Sequence, residues 1–214
     1  MTHLFFDLDG TLTDPAEGMT KCMQYSLEKL GRISPEPPSL LRFIGQPLKD
    51  IFSELLSTDE TATIDLACQY YRERFARVGL FENRVYDDIP LVLEALIHDR
   101  YLLWLVTAKP TPFAIKILEH FDLLSYFKGV YGSELDGSLT EKTDIITHIL
   151  ASETIQPDQA IMIGDRDMDV IGARNNGLRA IAVSWGFGTQ EELEAANPTE
   201  IINSPLHLLK TLQS

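Results

Sequence analysis

Acidic and hydroxyl side chains follow three separate apolar segments of this sequence. Asp7 and Asp9 follow the first apolar residues in LFFDLDGTLTD, Thr107 follows LLWLV, and Asp165 and Asp169 follow IMIG. Neighbouring carboxylates repel one another, and some take up protons unless a cation is bound. Mg²⁺ prefers oxygen ligands and commonly shares one or two carboxylates with a substrate phosphate. If the three segments end together, these residues predict a site for Mg²⁺ and phosphate.

Phosphate also needs donors, and the sequence offers them. Lys142 opens a helical pattern in EKTDIITHILA, and its ammonium and the Thr107 hydroxyl suit phosphate oxygens. Backbone N–H groups of the Asp9–Gly10 turn add donors, because glycine permits close approach. Singly, each such residue is more often a helix cap, a turn residue or a solvated lysine. Their combination is what indicates a site.

The elements that must position these residues follow from the alternation of strand-length and helix-length segments. Apolar runs predict strands at 4–8, 101–107, 129–133, 159–165 and 179–185, and periodic segments between them predict helices. This alternation is typical of a parallel sheet wrapped by helices. Open parallel sheets carry their sites at the carboxyl ends of the strands. The aspartates, Thr107 and Lys142 are therefore expected at one edge of the sheet.

A helical stretch interrupts this pattern directly after the first strand. Between Ala16 and Gly79 the spacing of apolar residues is helical, and no convincing strand occurs. The stretch predicts a small helical bundle inserted into an α/β domain. We expect a catalytic core at 1–14 and 85–214 and a helical cap at 15–84.

Composition excludes several classes of function. The chain has 214 residues, and 32 acidic against 18 basic residues give a formal net charge of -14, which disfavours binding to nucleic acid. Its two cysteines, Cys22 and Cys68, indicate no disulfide framework and fit a reducing cytoplasm. Neither a secretory signal nor a membrane-spanning run is visible. A cytoplasmic protein without nucleic-acid or membrane partners is expected, whereas its oligomeric state stays open.

The segment FFDLDGTLTD resembles the DxDGT signature of the haloacid dehalogenase superfamily. Thr107, Lys142 and the segment GDRDMD resemble its second, third and fourth motifs, in the same order. The helical insert resembles the cap of the subfamily that includes phosphoglycolate phosphatases. The segments VTAKPTPFAIKILEHF, YGSELDGSLTEK and MIGDRDMDVIGARNNG resemble a bacterial branch of 5′-nucleotidases and phosphoglycolate phosphatase-like enzymes. The resemblance implies a Rossmann-like parallel sheet core with an inserted α-helical cap.

The resemblance also implies a division of labour. Asp7 is the expected nucleophile, which forms an aspartyl-phosphate, and Asp9 is the expected general acid and then general base. Mg²⁺ would be held by Asp7, the backbone carbonyl of Asp9 and Asp165. Asp169 would support the metal through its waters or its neighbours.

The remaining implied residues bind the phosphoryl group and the substrate. Thr107 and Lys142 would grip the transferring group, with Gly10 and the backbone N–H of Ala108. Relatives often have Lys-Pro where this chain has Lys142-Thr143, and Lys128 is a competing lysine.

Residues for substrate selection are expected mainly in the insert. Arg42, Gln46 and Lys49 are the polar members of LLRFIGQPLKDIF, which resembles the specificity segment of the family, and Lys109 is a further candidate. Each of them is otherwise an ordinary exposed polar residue. Trp185, in WGFGTQEEL, either borders the site or packs in the core.

The sequence therefore predicts an Mg²⁺-dependent phosphomonoester hydrolase for a small phosphorylated metabolite, a nucleoside monophosphate or phosphoglycolate. A sugar phosphomutase on the same scaffold is an alternative. A dehalogenase is disfavoured because it would need neither Asp9 nor metal ligands. A non-catalytic phosphate-binding module, such as a receiver domain, would be shorter and would have no use for Asp9 beside a phosphorylated aspartate.

Overall fold

The computed structural model describes residues 1–136 and 138–213. The chain divides into two compact units, one of Met1–Thr13 with Val85–Ser214 and one of Asp14–Arg84. The first unit holds a six-stranded sheet, and the second is helical. The two chain segments at the division pair as a two-stranded sheet, β2 (Thr13–Asp14) with β3 (Arg84–Val85).

The sheet of the larger unit is parallel throughout. Its strands are β1 (His3–Phe6), β4 (Leu102–Pro110), β5 (Val130–Ser133), β6 (Ala160–Gly164), β7 (Arg179–Val183) and β8 (Glu200–Ile202). They lie in the order β5-β4-β1-β6-β7-β8, with every neighbouring pair parallel. The predicted parallel sheet surrounded by helices is confirmed.

Helices of the larger unit alternate with these strands, as a parallel sheet requires. They are α5 (Ile89–His98), α6 (Thr111–His120), α7 (Lys142–Ser152), α8 (Asp167–Asn175), α9 (Gln190–Ala196) and α10 (Pro205–Thr211). Fully buried apolar side chains of strands and helices form a common core, among them Phe5, Val106, Ile145 and Met162. The strands read as continuous apolar runs because both sheet faces are covered.

The central strands set the level at which the site begins. Phe6 of β1 is paired with Leu105 of β4 on one side and with Ile163 of β6 on the other. Asp7 is the next residue, and its N–H still donates to the Ile163 carbonyl oxygen at 2.9 Å. Strands β1 and β6 therefore end at the same edge of the sheet, and β4 runs parallel to them toward that edge.

Two features of the sheet differ from the sequence-based expectation. Strand β4 continues three residues beyond Thr107 to Pro110, with a register shift against β5 between Val106 and Pro110. The edge strand β8 was not predicted, because its three residues carry too little periodicity to be distinguished from a loop.

The smaller unit is a helical bundle. Its helices are α1 (Ala16–Lys29), α2 (Pro37–Leu40), α3 (Leu48–Leu56) and α4 (Thr61–Arg74), with a 3₁₀ turn at Leu41–Phe43 and a π-helical turn at Phe75–Gly79. An aromatic cluster helps to fill its core, with the Tyr71 ring edge-on to Phe52 and stacked on Phe75. Within residues 1–136 and 138–213, no helix is long and apolar enough to cross a membrane.

Candidate active site

Three buried aspartates converge where β1 and β6 end. Asp7 follows β1, Asp165 follows β6, and Asp169 lies in the first turn of α8. One carboxylate oxygen from each can be chosen so that all three lie within 4.8 Å of one another. The three residues are at most 5% exposed. The predicted convergence of these aspartates is thus present in the structure.

Lys142 is a buried cation that contacts two of these aspartates. Its Nζ lies 2.8 Å from Asp7 Oδ1 and 2.8 Å from Asp169 Oδ1, and it donates to the Val106 carbonyl oxygen at 2.9 Å. Burial lowers the pKa of Lys142, but Asp169 and Asp7 more than offset this effect, so the pKa is raised. The ammonium therefore stays charged. The competing residue Lys128 is exposed and precedes β5. It therefore lies at the amino end of that strand, whereas the aspartates lie at the carboxyl ends of β1 and β6.

One ammonium does not balance three carboxylates. Burial raises the pKa of Asp169 to about 6, and the Asp7 charge acts in the same direction while Lys142 opposes it. Burial, Asp7 and Asp169 together raise the pKa of Asp165 well above its ordinary value. The cluster is therefore short of positive charge at neutral pH.

The donor set fits Mg²⁺. All the candidate side-chain ligands are carboxylates, which are the oxygen ligands this ion prefers. In the part of the chain that the structure describes, two buried carboxylate oxygens, Asp9 Oδ1 and Asp169 Oδ1, have no hydrogen-bond partner. The Lys142 ammonium lies near Asp169 Oδ1 as an ion pair without hydrogen-bond geometry. A divalent cation would offset the excess negative charge of the three aspartates.

The turn after β1 brings Asp9 and Thr11 to the cluster. Gly10 has a φ of +89°, and a Cβ placed on it would lie 2.1 Å from Asp165 Oδ2. Thr11 Oγ1 donates to Asp165 Oδ1 at 3.3 Å. Gly10 is thus required both by the turn and by the close approach of Asp165. Its N–H donates to the Thr13 carbonyl oxygen at 2.7 Å, and its predicted contact with phosphate stays a prediction.

Asp9 is paired with the second buried lysine of the site. Lys109 Nζ lies 2.7 Å from Asp9 Oδ2. Burial raises the pKa of Asp9, and Lys109 opposes this shift. Thr107, on the same strand as Lys109, is buried, and its Oγ1 accepts the Lys109 N–H at 3.3 Å. The Ala108 carbonyl oxygen accepts from Ser133 Oγ at 2.8 Å, which fastens β4 to β5 here.

The loop after β7 holds Asp165 in place. The Phe187 N–H donates to Asp165 Oδ2 at 2.8 Å, and Trp185 Nε1 donates to the Thr11 carbonyl oxygen at 3.1 Å. A Cβ on Gly186 would lie 2.4 Å from Asp165 Oδ2. Of the two roles considered for Trp185, the structure supports bordering the site. No role was predicted from the sequence for Phe187 or Gly186, although two glycines just after a strand were an available signal.

Asp169 is oriented by its own helix start. The Arg166 N–H donates to Asp169 Oδ2 at 3.1 Å, which caps α8. Gly164 leaves room for this carboxylate, since a Cβ there would lie 2.2 Å from Asp169 Cγ. Arg166 Nε in turn donates to Glu192 Oε1 of α9 at 2.7 Å. No role was predicted from the sequence for these three residues. Gly164 and Arg166 contact Asp169, and Glu192 contacts Arg166, so none of them has a role toward a ligand that a motif would indicate.

Comparison with known proteins agrees with this geometry. The sequence model described as haloacid dehalogenase-like hydrolase matches residues 4–183, which include all four motifs. The chain belongs to the haloacid dehalogenase-like hydrolase family. The predicted family membership is confirmed.

The relatives of this chain carry different names. A 5′-nucleotidase of Pseudomonas aeruginosa is 44% identical over 99% of this chain and 96% of that protein. The tyrosine-protein kinase PtkA of Mycobacterium tuberculosis is 31% identical over 94% of this chain and 68% of that protein. A phosphoglycolate phosphatase of Psychrobacter arcticus is 30% identical over 92% of this chain and 89% of that protein.

A solved structure agrees with the fold over almost the whole chain. The crystal structure of a predicted phosphatase from Clostridium acetobutylicum superposes with a TM-score of 0.95 at 47% identity, covering 99% of this chain and 98% of that one. The predicted enzyme class, a phosphatase of the haloacid dehalogenase-like family, is confirmed at this level.

Of the four residues predicted to select the substrate, Lys109 lies on β4 of the larger unit, and the other three lie in the smaller unit and have partners there. Arg42 forms an ion pair with Glu54, and its guanidinium lies 4.5 Å from the Phe43 ring centroid. Gln46 Nε2 donates to the Arg42 carbonyl oxygen at 3.1 Å. Lys49 Nζ lies 3.0 Å from Asp65 Oδ1. Their contact with a substrate of this haloacid dehalogenase-like protein stays a prediction.

Proposed function

We propose that the chain is an Mg²⁺-dependent hydrolase of small phosphomonoesters that works through an aspartyl-phosphate on Asp7. The observation that carries the proposal is the buried Asp7 carboxylate, held by Lys142 through Oδ1 beside Asp165 and Asp169. A carboxylate nucleophile splits a difficult hydrolysis into two easier displacements. With one oxygen held, the other is available to attack phosphorus.

Asp9 supplies the proton transfers in this proposal. It lies two residues after Asp7 in the turn, and its Oδ1 is buried without a hydrogen-bond partner among the described residues. Burial raises its pKa, which favours the protonated form needed by a general acid. Asp9 would protonate the leaving oxygen and later take a proton from the attacking water.

Lys142, Thr107 and the metal site would hold the phosphoryl group. The Lys142 ammonium offsets charge on the equatorial oxygens, and the Thr107 hydroxyl and the Ala108 N–H would donate to them. Asp7, Asp165 and the Asp9 carbonyl would hold Mg²⁺, with Asp169 beside it. When bound, Mg²⁺ would neutralise charge on the transferring phosphoryl group and orient it.

For the substrate we propose a nucleoside monophosphate, with phosphoglycolate as the second candidate. Support comes from the relative named 5′-nucleotidase, which is similar over nearly its full length. The relatives named phosphoglycolate phosphatase support the second candidate. We also propose a cytoplasmic location, because both cysteines are buried free thiols.

The test is phosphate release from a panel of nucleoside monophosphates, phosphoglycolate and sugar phosphates, with Mg²⁺ and with chelator. Release that needs Mg²⁺ and is fastest for a nucleoside monophosphate is expected. A folded protein that releases no phosphate from any ester contradicts the proposal. Transfer of the phosphate to another position of a sugar, without release, would favour the mutase.

A further inference from the structure

Two buried lysines lie at this edge of the sheet, and they contact different aspartates. Lys142 Nζ lies 2.8 Å from both Asp7 Oδ1 and Asp169 Oδ1. Lys109 Nζ lies 2.7 Å from Asp9 Oδ2, and the Lys109 and Asp9 side chains are 5% and 8% exposed. At such burial the attraction is screened little by water. Lys142 thus contacts the proposed nucleophile, Asp7, and Lys109 contacts the proposed acid and base, Asp9.

The backbone holds Lys109 toward Asp9. Strand β4 continues through Lys109, two residues after Thr107, and both of these side chains are buried. The neighbouring strand comes close because Gly132 has no side chain, and a Cβ there would lie 2.3 Å from the Lys109 carbonyl oxygen. The backbone of Lys109 is therefore held within a strand of the sheet.

The contact distinguishes the two oxygens of Asp9. Oδ2 faces the Lys109 ammonium, whereas the buried Oδ1 has no hydrogen-bond partner in the described ranges 1–136 and 138–213. A carboxylic acid that faces an ammonium with one oxygen carries its proton on the other. Oδ1 is therefore the oxygen that can give and take a proton.

We propose that Lys109 is a positioning residue, which holds the Asp9 carboxyl so that Oδ1 exchanges the proton with the leaving group and then with water. This inference rests on the proposed function. It gives Lys109 a different role from the substrate contact expected from the sequence.

The two half-reactions balance around Asp9. In the first, a bond forms between an Asp7 oxygen and phosphorus, the bond from phosphorus to the leaving oxygen breaks, and the Asp9 proton passes to that oxygen. In the second, a water oxygen bonds to phosphorus, the bond to Asp7 breaks, and the water proton passes to Asp9. Lys109 forms no covalent bond in either half-reaction.

The test compares leaving groups that differ in their need for a proton. Release of the leaving group is measured in a single turnover, from a nucleoside monophosphate and from 4-nitrophenyl phosphate, for wild type, Lys109→Met and Lys109→Arg. We expect Lys109→Met to slow release of the nucleoside by about 100-fold and release of 4-nitrophenol by less than about tenfold. Lys109→Arg, which keeps the charge, should recover most of the loss. The exposed Lys116→Met, on α6, is the matched control.

Equal slowing with both esters would overturn the proposal and indicate a general structural effect. A raised KM with an unchanged rate would overturn it too, in favour of a substrate contact. In an Asp9→Asn background, Lys109→Met should slow nucleoside release by less than about threefold more, because its effect passes through Asp9. A further 100-fold loss there would overturn the proposal.

The double variant also covers a failure of folding. If Lys109→Met alone leaves Asp9 buried without its partner and does not fold, Asp9→Asn with Lys109→Met removes both charges and is compared with Asp9→Asn. A wild-type protein that releases neither leaving group contradicts the proposed function itself. That outcome is seen before any variant is made, so the two failures are distinguishable.

Discussion

The charged clusters of the two units are built in opposite ways. At the sheet edge four buried aspartates share two buried lysines, and two carboxylate oxygens have no hydrogen-bond partner among the described residues. In the helical unit Glu82 accepts from Arg74 at 2.6 and 3.1 Å and from Lys21 at 3.2 Å. Glu17 completes that cluster at 2.6 Å from Lys21, so two acids face two bases.

The pKa shifts follow this difference. Hydrogen bonds from Arg74 and Lys21 lower the pKa of Glu82, although burial opposes them. Burial instead raises the pKa of Asp165 and Asp169. The balanced charges around Glu82 stabilise the fold, whereas the unbalanced buried charges at the sheet edge cost stability until a ligand is bound. This difference supports the proposal that the sheet edge binds a cation and a phosphoryl group.

The largest effect is expected at the nucleophile. Asp7→Asn should reduce turnover by at least about 10⁴-fold, because the amide cannot form the acyl-phosphate bond. Steady-state phosphate release measures it, with the exposed Asp158→Asn as control. Circular dichroism should show a folded variant. Turnover near the wild-type rate would mean that Asp7 is not the nucleophile.

Asp165→Asn should weaken Mg²⁺ binding by at least about tenfold, since it removes one carboxylate from the ligand set. The metal-free variant should be no less stable than wild type, because like-charge repulsion in the cluster is reduced. Calorimetric titration with MgCl₂ measures the Mg²⁺ affinity, and the Tm of the metal-free protein measures its stability. The prediction fails if Mg²⁺ affinity is unchanged relative to Asp158→Asn.

The pH dependence of stability should depend on metal. A carboxyl whose pKa is raised by folding contributes stability below its unfolded value, and this is lost as pH rises through the folded value. For Asp169 that folded value is about 6. Between about pH 5 and pH 7 this carboxyl loses about one pKa unit of stabilisation, or about 1.3 kcal/mol. Without metal, Tm should therefore fall by roughly 3–5 °C over this range, since each kcal/mol shifts Tm by about 2–4 °C at this chain length.

Saturating Mg²⁺ should flatten this fall in Tm, because the bound cation offsets the charge that appears as the carboxyls ionise. Glu82, whose pKa is lowered, loses its contribution only as pH falls below its unfolded value of about 4.3, outside this window. Differential scanning calorimetry in chelator and in Mg²⁺ makes the comparison. An equal fall of Tm with pH in chelator and in Mg²⁺ would contradict the assignment of the aspartate cluster as the metal site.

The smallest effect is expected in the balanced cluster. Glu82→Gln should lower the free energy of unfolding by about 1–2 kcal/mol, because Arg74 loses its charged partner. Mg²⁺ affinity should stay within about twofold of wild type, since the cluster is already balanced. Denaturant unfolding measures the change, with the exposed Glu28→Gln as control. A large change in Mg²⁺ affinity would break the contrast between the two clusters.

Much of the site could be predicted from the sequence because parallel strands end at one edge. The apolar runs before Asp7 and Asp165 and the helix that begins at Lys142 were sufficient to expect their convergence, and the structure brings them together. Boundaries were less accurate. The strand through Thr107 runs on to Pro110, because pairing with β5 resumes after a register shift that no local pattern shows.

The contacts that orient the aspartates could not be predicted. Phe187 reaches Asp165 from 22 residues away, and Lys109 reaches Asp9 from a separate strand. Neither residue lies in a spacing that requires these contacts. They depend on how closely backbones approach, which glycines at 10, 164 and 186 permit.

The sequence by itself determined the family, the parallel sheet and the identity of the chemical groups, because apolar periodicity and residue type are local properties. Tertiary structure alone decided which lysine faces which aspartate and which carboxylate oxygens stay without a partner. The physical reason is that ion pairing and burial depend on distances of a few ångströms between distant segments. Those distances exist only after the strands have paired.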